Sequence, residues 1–542
     1  MSNNPVNSMR LGPDTPIIRD QSGREGFRYS ELQDGEFRLI RLASSTSSSV
    51  ECEVFHAPLS RPPSYVAISY AWGDVDDTVS IQLNGCSFEI TASLYDALKT
   101  LLNRLGGTLL WADAICINHR DKTEQSRQVK LMPKIYSGAR EVNTFIESLI
   151  GSKKWKPHFT ALVTLFERDY WSRLWVVQEV LNVKRVEVYY PTRVFPMPIY
   201  ILSSHGPASL EFLRRARNVG PESLLEVLHI CRKKLAADPR DKVFAVLGIL
   251  PEHIRLNFPL DYNASIKEVY TNVVSFLLTT TRRFDVICEN IYFPIHISNI
   301  KLPSWVPGWS YTPQVAALGL TYGFSAARDT NAVFRIIDQP QRTKLEMTVM
   351  RLDKINSRGV AVGTFCGLDD LMLASPHWRA KALAIPVAPD KHYKTRESKD
   401  QAFCRTLHLD QASEWTTLSQ WMKVCYHIFA CLFRDCLPQI PLDDELQQRA
   451  TRHHYDNCAS AMMGRCFFAT TSGFIGMASG FIEPGDVVCV PLGRSTPVVL
   501  RSDGGAGTYR FVSDAYVDEF MYGKALEMHR KNPALGRIYT LE

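Results

Sequence analysis

Glu179 stands one helical turn after Trp175 in the segment YWSRLWVVQEVLNV, so a carboxylate adjoins an aromatic face at i, i+4 spacing. Trp171, Leu174, Trp175, Gln178 and Leu181 form the inward stripe of the helix expected over Tyr170 to Val183. Glu179 falls at the edge of that stripe, where a side chain reaches a pocket without full burial. A carboxylate so placed can hold hydroxyl groups and stabilise positive charge that develops in a transition state. The plainer reading of the same residues is a core tryptophan beside a glutamate that is solvated or pairs with an arginine. Asp113, the first polar residue after the run LLWA, can bind a hydroxyl or orient a loop, or simply cap a turn. Ser69 and Tyr70 close another apolar run, YVAISY, and Trp72-Gly73 behind them would let backbone pass close to a ligand; such a segment also serves simply to end a core strand. Cys116 and His119 make a lone C-x-x-H pair, short of the four ligands a structural zinc usually takes, and a buried thiol is the simpler role for Cys116. His453, His454 and Cys458 lack a second ligand pair nearby. No metal site is expected, and neither GxxxxGK[ST] nor GxGxxG occurs.

These side chains need strands that end together. Tyr65 to Tyr70 and Leu109 to Ala112 are short, β-prone apolar runs ending in polar residues, as buried strands do when their C-terminal ends open into a site. Before them, Phe37 to Leu42 and Val50 to His56 read as strands around a Ser-rich loop. Between them, VSIQL-NG-CSFEI predicts a hairpin, because Asn84-Gly85 suits the positive φ angles of a tight turn. A helix follows over Ala92 to Arg104 with Leu94, Leu98, Leu101 and Leu102 on one face. Asp121 and Glu124 form a capping pattern for a further helix, which Pro133 should kink or divide. Glu141 to Glu147 reads as a strand, Pro157 to Arg168 as a helix, and Arg185 to Tyr190 as the closing strand. That order predicts an α/β fold with a mostly parallel sheet covered by helices.

Further along, Pro191 to about Gly220 is a connector, and Asp238-Pro239 is an N-cap and N1 pair for a helix with a Val243 to Leu247 core face, stopped at Gly248. From about residue 460 the runs VVCVPL, PVVLRS and YRFVSDAYV alternate with turns at Pro484-Gly485-Asp486 and Asp503-Gly504-Gly505. The expected organisation is a loosely ordered segment 1–35, an α/β domain 36–190, a mainly helical region 191–330 and a mixed region 331–542 that is β-rich from about 460. At 542 residues the chain is too long for one compact core. Lys and Arg number 62 against 56 acidic residues, and no basic stripe concentrates the formal charge of +6, which argues against nucleic-acid binding. Thirteen scattered cysteines suit a reducing compartment. The longest apolar runs fall short of the roughly twenty residues of a membrane helix, and residues 1–35 lack a secretory apolar core, so a cytoplasmic protein off the membrane is expected.

Four blocks together, YVAISYAWGD, LWADAICINHRDKTEQSRQVKLMPKIYSGA, RDYWSRLWVVQEV and DPRDKVFAVLGIL, resemble the heterokaryon incompatibility (HET) domain family of filamentous fungi. GRCFFATTSGFIGMASG, GDVVCVPLG and YVDEFMYGKAL resemble the extended architecture of its long members. The resemblance implies nonself recognition and a cell-death response. Two departures are His119, where the family usually has Gln, and Phe145-Ile146-Glu147, where it usually has Trp-Leu-Gly. The core is also similar in motif order to Toll/interleukin-1 receptor (TIR) domains, some of which cleave NAD. Ile68-Ser69-Tyr70 resembles the end of the first TIR strand, and Trp175 and Glu179 are spaced like the Trp-x-x-x-Glu segment that bears the catalytic glutamate.

This second similarity implies a TIR-like fold and makes NAD a candidate substrate rather than a cofactor, with Glu179 catalytic and Ser69, Tyr70, Trp72, Gly73, Asp113 and Trp175 as substrate-binding candidates. Releasing nicotinamide from ribose expels a neutral base from a cationic ring, so one carboxylate can suffice where other glycosidases divide the work between two. It also implies homo-oligomers formed through the core. The alternative is a non-enzymatic signalling or scaffold module that acts by self-association or by binding another protein.

Overall fold

The computed structural model describes residues 10–11, 27–43, 50–70, 74, 76–105, 107–145, 173–182, 186–190, 193–196, 220–256, 258, 260–289, 300–310, 317–321, 323–337, 341–362, 368–407, 409–410, 462–505 and 507–542. The chain divides into two compact units, Met1–Val269 and Tyr270–Glu542.

The first unit is built on a sheet of β1 (Arg10–Leu11), β2 (Glu36–Leu42), β3 (Glu51–Pro58), β4 (Tyr65–Tyr70), β5 (Thr78–Leu83), β6 (Cys86–Thr91), β7 (Leu109–Trp111), β8 (Glu141–Phe145), β9 (Val186–Tyr190) and β10 (Arg193–Pro196). Their order is β10-β9-β8-β4-β7-β2-β3-β5-β6, with β1 also on β3. β4 pairs in parallel with β7 and β8, and β8 with β9. All six residues of β4 are buried, which is why its sequence reads as a nearly continuous apolar run instead of an alternation. The sheet is mixed rather than mostly parallel: β2 joins β7 antiparallel, β3 joins β2 antiparallel, and the β5–β6 hairpin extends the edge. The cause is local. Short connections between β2 and β3, and between β5 and β6, permit only antiparallel neighbours.

The Asn84-Gly85 turn forms as expected, with φ of 50° and 79° and Leu83 opposite Cys86. Helix α1 (Ala92–Leu105) buries Leu94, Leu98 and Leu101, while Leu102 is partly exposed. Helix α2 is the single turn Asp113–Cys116, and α3 runs over Lys122–Gly138. Helix α3 passes through Pro133 as one element and is not divided there, and buried Val129, Met132, Ile135 and Tyr136 around the proline hold it in place. The segment expected as one long helix over Tyr170 to Val183 is helical over Val176–Leu181, while Arg173 forms an isolated bridge with Leu235. Tyr170, Trp171, Val183, Ile146 and Glu147 lie outside the described residues, as do the helix expected over Pro157 to Arg168 and His453, His454 and Cys458. Helices Ser223–Cys231, Asp241–Leu247 and Glu252–Leu256 also belong to this unit, and the helix Ile266–Thr281 begins at its end. The helix at Asp241 begins later than the Asp238-Pro239 signal. The Asp238 carboxylate instead accepts from Arg240 N at 2.9 Å, forming the turn before it.

The second unit centres on a sheet of β11 (Phe334–Ile337), β12 (Lys344–Arg358), β13 (Arg465–Thr470), β14 (Ile475–Ser479), β15 (Val487–Pro491), β16 (Val498–Ser502), β17 (Thr508–Val517) and β18 (Gly536–Leu541). The path β12-β13-β14-β17-β16-β15 closes on itself because β12 is long enough to pair with β13 through Ile355–Arg358 and with β15 through Val349–Lys354. Met350, Cys466, Phe468, Ala478, Val488, Val490, Val499 and Val512 come from every strand of that ring and cluster together, so they fill its interior. The alternate residues Phe467, Ala469, Ile475 and Met477 pack outward with Trp378 and Phe403 from helices Leu368–Leu383 and Arg396–Leu407. Among the described residues, no helix is long and apolar enough to cross a membrane.

Candidate active site

The parallel register sets the site. Ala67 of β4 lies opposite Trp111 of β7, so Ser69 and Tyr70 reach beyond the pairing at the same edge where α2 begins with Asp113. The helix Val176–Leu181 then brings Glu179 to that edge, where the Ser69 hydroxyl donates to its Oε2. Arg173 donates through Nη1 to the Tyr70 carbonyl. Burial pushes the Tyr70 phenol well above its ordinary pKa, reinforced by the Asp113 carboxylate and more weakly by Glu179. Ser69, Tyr70, Asp113 and Glu179 therefore share one electrostatic neighbourhood.

Glu179 is 3% exposed, not half-open at the edge of a stripe as the helical pattern suggested. Its helix packs against both α3 and the helix Asp241–Leu247, and an amphipathic wheel drawn for one covered face misses the second cover. Burial raises its carboxyl from the ordinary 4.5 to about 7; Arg173 and the Ser69 hydrogen bond oppose the rise, and Asp113 adds to it. A carboxyl titrating near neutrality can act as either charge stabiliser or proton acceptor at physiological pH.

The other sequence candidates separate. The Trp175 indole donates to Asp241 Oδ2 at 3.1 Å, a partner outside the Ser69–Glu179 cluster. Trp72 and Gly73 lie outside the described residues. Asp113 Oδ1 accepts from Ala114 N at 2.9 Å, so this aspartate shapes the start of α2 while also facing Tyr70. Cys116 is buried, and burial pushes its thiol up to about 12, away from nucleophilic chemistry. His119 is partly buried, with Nε2 3.2 Å from the Asp113 carbonyl, so the departure from Gln still meets the loop that carries Asp113.

Beneath that loop is an anchor the sequence reading missed. Arg38 donates Nη1 to Glu124 Oε1 at 2.6 Å and Nη2 to Oε2 at 2.9 Å, and Nη1 also reaches the Cys116 carbonyl at 3.2 Å. Glu124 Oε1 in turn accepts from Asn118 N at 2.9 Å. The capping pattern assigns the Glu124 carboxylate to a free N–H near the helix start. Asp121 does cap α3, accepting from Thr123 N at 2.9 Å and Glu124 N at 3.2 Å, but the Glu124 carboxylate faces Arg38. A signal did exist: in EFRLIRL, Arg38 occupies the same strand face as Ile40 and Leu42, a phase that demands a buried partner.

Residues 65–154, which hold Ser69, Tyr70 and Asp113, match the family model for Heterokaryon incompatibility protein (HET), and residues 439–534 match the Het-6 beta-barrel domain. The chain thus contains a region similar to the HET family and a second similar to the Het-6 barrel. Heterokaryon incompatibility protein 6, OR allele, of Neurospora crassa is 22% identical over 679 aligned positions, covering 90% of this chain and 94% of the relative. No solved structure matches. The HET match ends before Glu179, so the carboxylate enters the HET strand ends from a segment beyond it. The closed ring of β12 to β17 corresponds to the Het-6 barrel, although its long closing strand β12 precedes the matched residues.

Proposed function

We propose that this chain is a heterokaryon incompatibility effector of nonself recognition and cell death that works in the cytoplasm as a TIR-like NAD glycohydrolase with Glu179 as its catalytic carboxylate. The observation that carries the reading is the meeting of Glu179 with Ser69, Tyr70 and Asp113 at the C-terminal edge of parallel strands, the edge at which open α/β sheets bind ligands. In this scheme the bond between ribose C1′ and the nicotinamide nitrogen breaks, and its electron pair leaves with the base and neutralises the ring. The ionised Glu179 stabilises the oxocarbenium charge left on the ribose. Water then adds to C1′, passing a proton to the carboxylate. Ser69 orients Glu179, and Asp113 and Tyr70 offer hydrogen bonds to sugar hydroxyls. Copies of the chain assemble through the HET domain.

One observation favours a non-enzymatic signalling or scaffold role instead: Glu179 is buried and already hydrogen-bonded by Ser69, as a structural glutamate would be. Incubating the purified full chain with NAD at high protein concentration separates the two. Nicotinamide release that disappears in Glu179→Gln supports the enzyme, and no release from oligomerised wild type supports the scaffold.

A further inference from the structure

The helix that carries Glu179 has six residues and no side-chain N-cap. So short a helix does not hold its own position in water, and tertiary contacts must set its rotation. Beside its packing on α3 and the Ser69 bond, a row of hydrogen bonds ties it to one stretch. Leu174 N donates to Leu235 O at 2.8 Å, Trp175 Nε1 to Asp241 Oδ2 at 3.1 Å, Gln178 Nε2 to the Ala245 carbonyl, and Asn182 Nδ2 to Gly248 O at 3.4 Å. The two segments thus advance together, 175 on 241, 178 on 245 and 182 on 248. Gly248 permits this approach, since a Cβ there would lie 2.1 Å from the Gln178 side chain.

Asp241 is held from its other side as well. Its Oδ1 accepts from the Tyr262 hydroxyl at 2.5 Å, and Tyr262 N donates to Ser126 Oγ of α3 at 2.9 Å. Arg240 Nη1 adds a bond to the Tyr262 carbonyl at 2.6 Å. The carboxylate is therefore a fixed acceptor between α3 and the Trp175 indole, one helical turn from Glu179.

We infer that Asp241 is a positioning residue for Glu179: by holding the Trp175 indole it sets the rotation of the helix that keeps the Glu179 carboxylate against Ser69. Any catalytic consequence rests on the NAD-cleaving reading, whereas the positioning itself does not. Asp241→Ala removes the acceptor, Trp175→Phe removes the donor, and Asp241→Asn should restore the link. Its amide oxygen can still accept the indole N–H, and its NH2 can donate to Tyr262, whose hydroxyl can reverse its role.

The test compares each protein with its Glu179→Gln counterpart by melting temperature from pH 4 to 8. The groups facing Glu179 are Ser69 and Tyr70 of β4, Asp113 of α2 and Arg173; those facing Asp241 are Trp175, Tyr262, Asp238 and Arg240. In wild type the Gln form gains melting temperature as pH rises through about 7, because the buried carboxyl is then forced to ionise. With Asp241→Ala or Trp175→Phe, Glu179 turns toward water, and the gap at pH 8 shrinks by about half or more, while Asp241→Asn restores it. A general loss of stability shifts both members of each pair and leaves the gap alone. In the NAD assay the same variants lower kcat by about tenfold and move its acid limb down by about one pH unit. A gap in Trp175→Phe equal to that of wild type overturns the positioning role, and this variant serves also if Asp241→Ala fails to fold. Absence of nicotinamide release from wild type overturns the enzyme reading and leaves the melting comparison to decide the positioning.

Discussion

In the barrel unit, Asp514 meets Arg465 at 3.0 Å with both side chains 1% exposed, and its second oxygen accepts from Leu318 N at 2.6 Å. At the strand ends of the HET domain, Glu179 is equally deep but meets the hydroxyl of Ser69, while the nearby Arg173 donates to the Tyr70 carbonyl. Asp518 repeats the barrel pattern, with Arg405 donating to its two oxygens at 2.8 and 2.9 Å. A buried carboxylate facing a bidentate or direct arginine has its charge matched and serves to fix elements together. One facing a hydroxyl keeps most of its desolvation penalty and titrates where chemistry can use it. The difference lies in the partner, not in the depth of burial.

The sharpest way to break this contrast is to delete the carboxylate on each side. Asp514→Ala removes a buried carboxylate partner of Arg465, and chemical denaturation should report a loss of about 3 to 5 kcal/mol. Glu179→Gln should lower nicotinamide release by about a hundredfold or more if its charge stabilises the transition state, measured as kcat at saturating NAD.

The same Glu179→Gln change should raise stability, opposite in sign to Asp514→Ala. Its folded pKa of about 7 lies above the ordinary 4.5, so the protein suffers no penalty below pH 4.5 and loses stability as pH rises through 7. The variant should therefore match wild type near pH 4 and exceed it by roughly 3 kcal/mol above pH 8, a gap that a denaturation series across pH would read. On the proposed NAD-cleaving reading, the ionised form is the competent one. kcat should rise through about pH 7 and level off above it.

Smaller effects probe the frame around Glu179. Gly248→Ala places a Cβ 2.1 Å from Gln178 and should cost about 1 to 3 kcal/mol, with kcat falling as the helix is displaced. Gly85→Ala, at φ 79° in the exposed hairpin turn with open space around it, should cost about 1 kcal/mol and leave nicotinamide release unchanged.

Much of the frame could be read from short stretches. The Asn84-Gly85 hairpin, the buried β4, the Asp121 cap and the β-rich runs after residue 460 each follow from turn chemistry, burial pattern or capping within about ten residues. Ser69, Asp113 and Glu179 could be nominated because strand ends and helix spacing are local too. Arg173 and Asp241 were missed as partners, although both lie in the motif blocks. Nothing nearby in sequence shows that a guanidinium will reach the Tyr70 carbonyl, or that an aspartate 66 residues on will accept the Trp175 indole.

The amino-acid sequence alone determined the Asn84-Gly85 turn, the buried run of β4, the Asp121 cap and which polar residues stand at the strand ends. Tertiary structure decided that the sheet is mixed, that Pro133 stays within one helix, that Arg38 takes Glu124 from its cap, and that β12 closes the barrel. It also decided that Glu179 is buried on two sides and shifted toward neutrality. Periodicity and turn chemistry act between near neighbours, whereas desolvation and charge pairing depend on which distant groups fold against a side chain, and no window of sequence contains them.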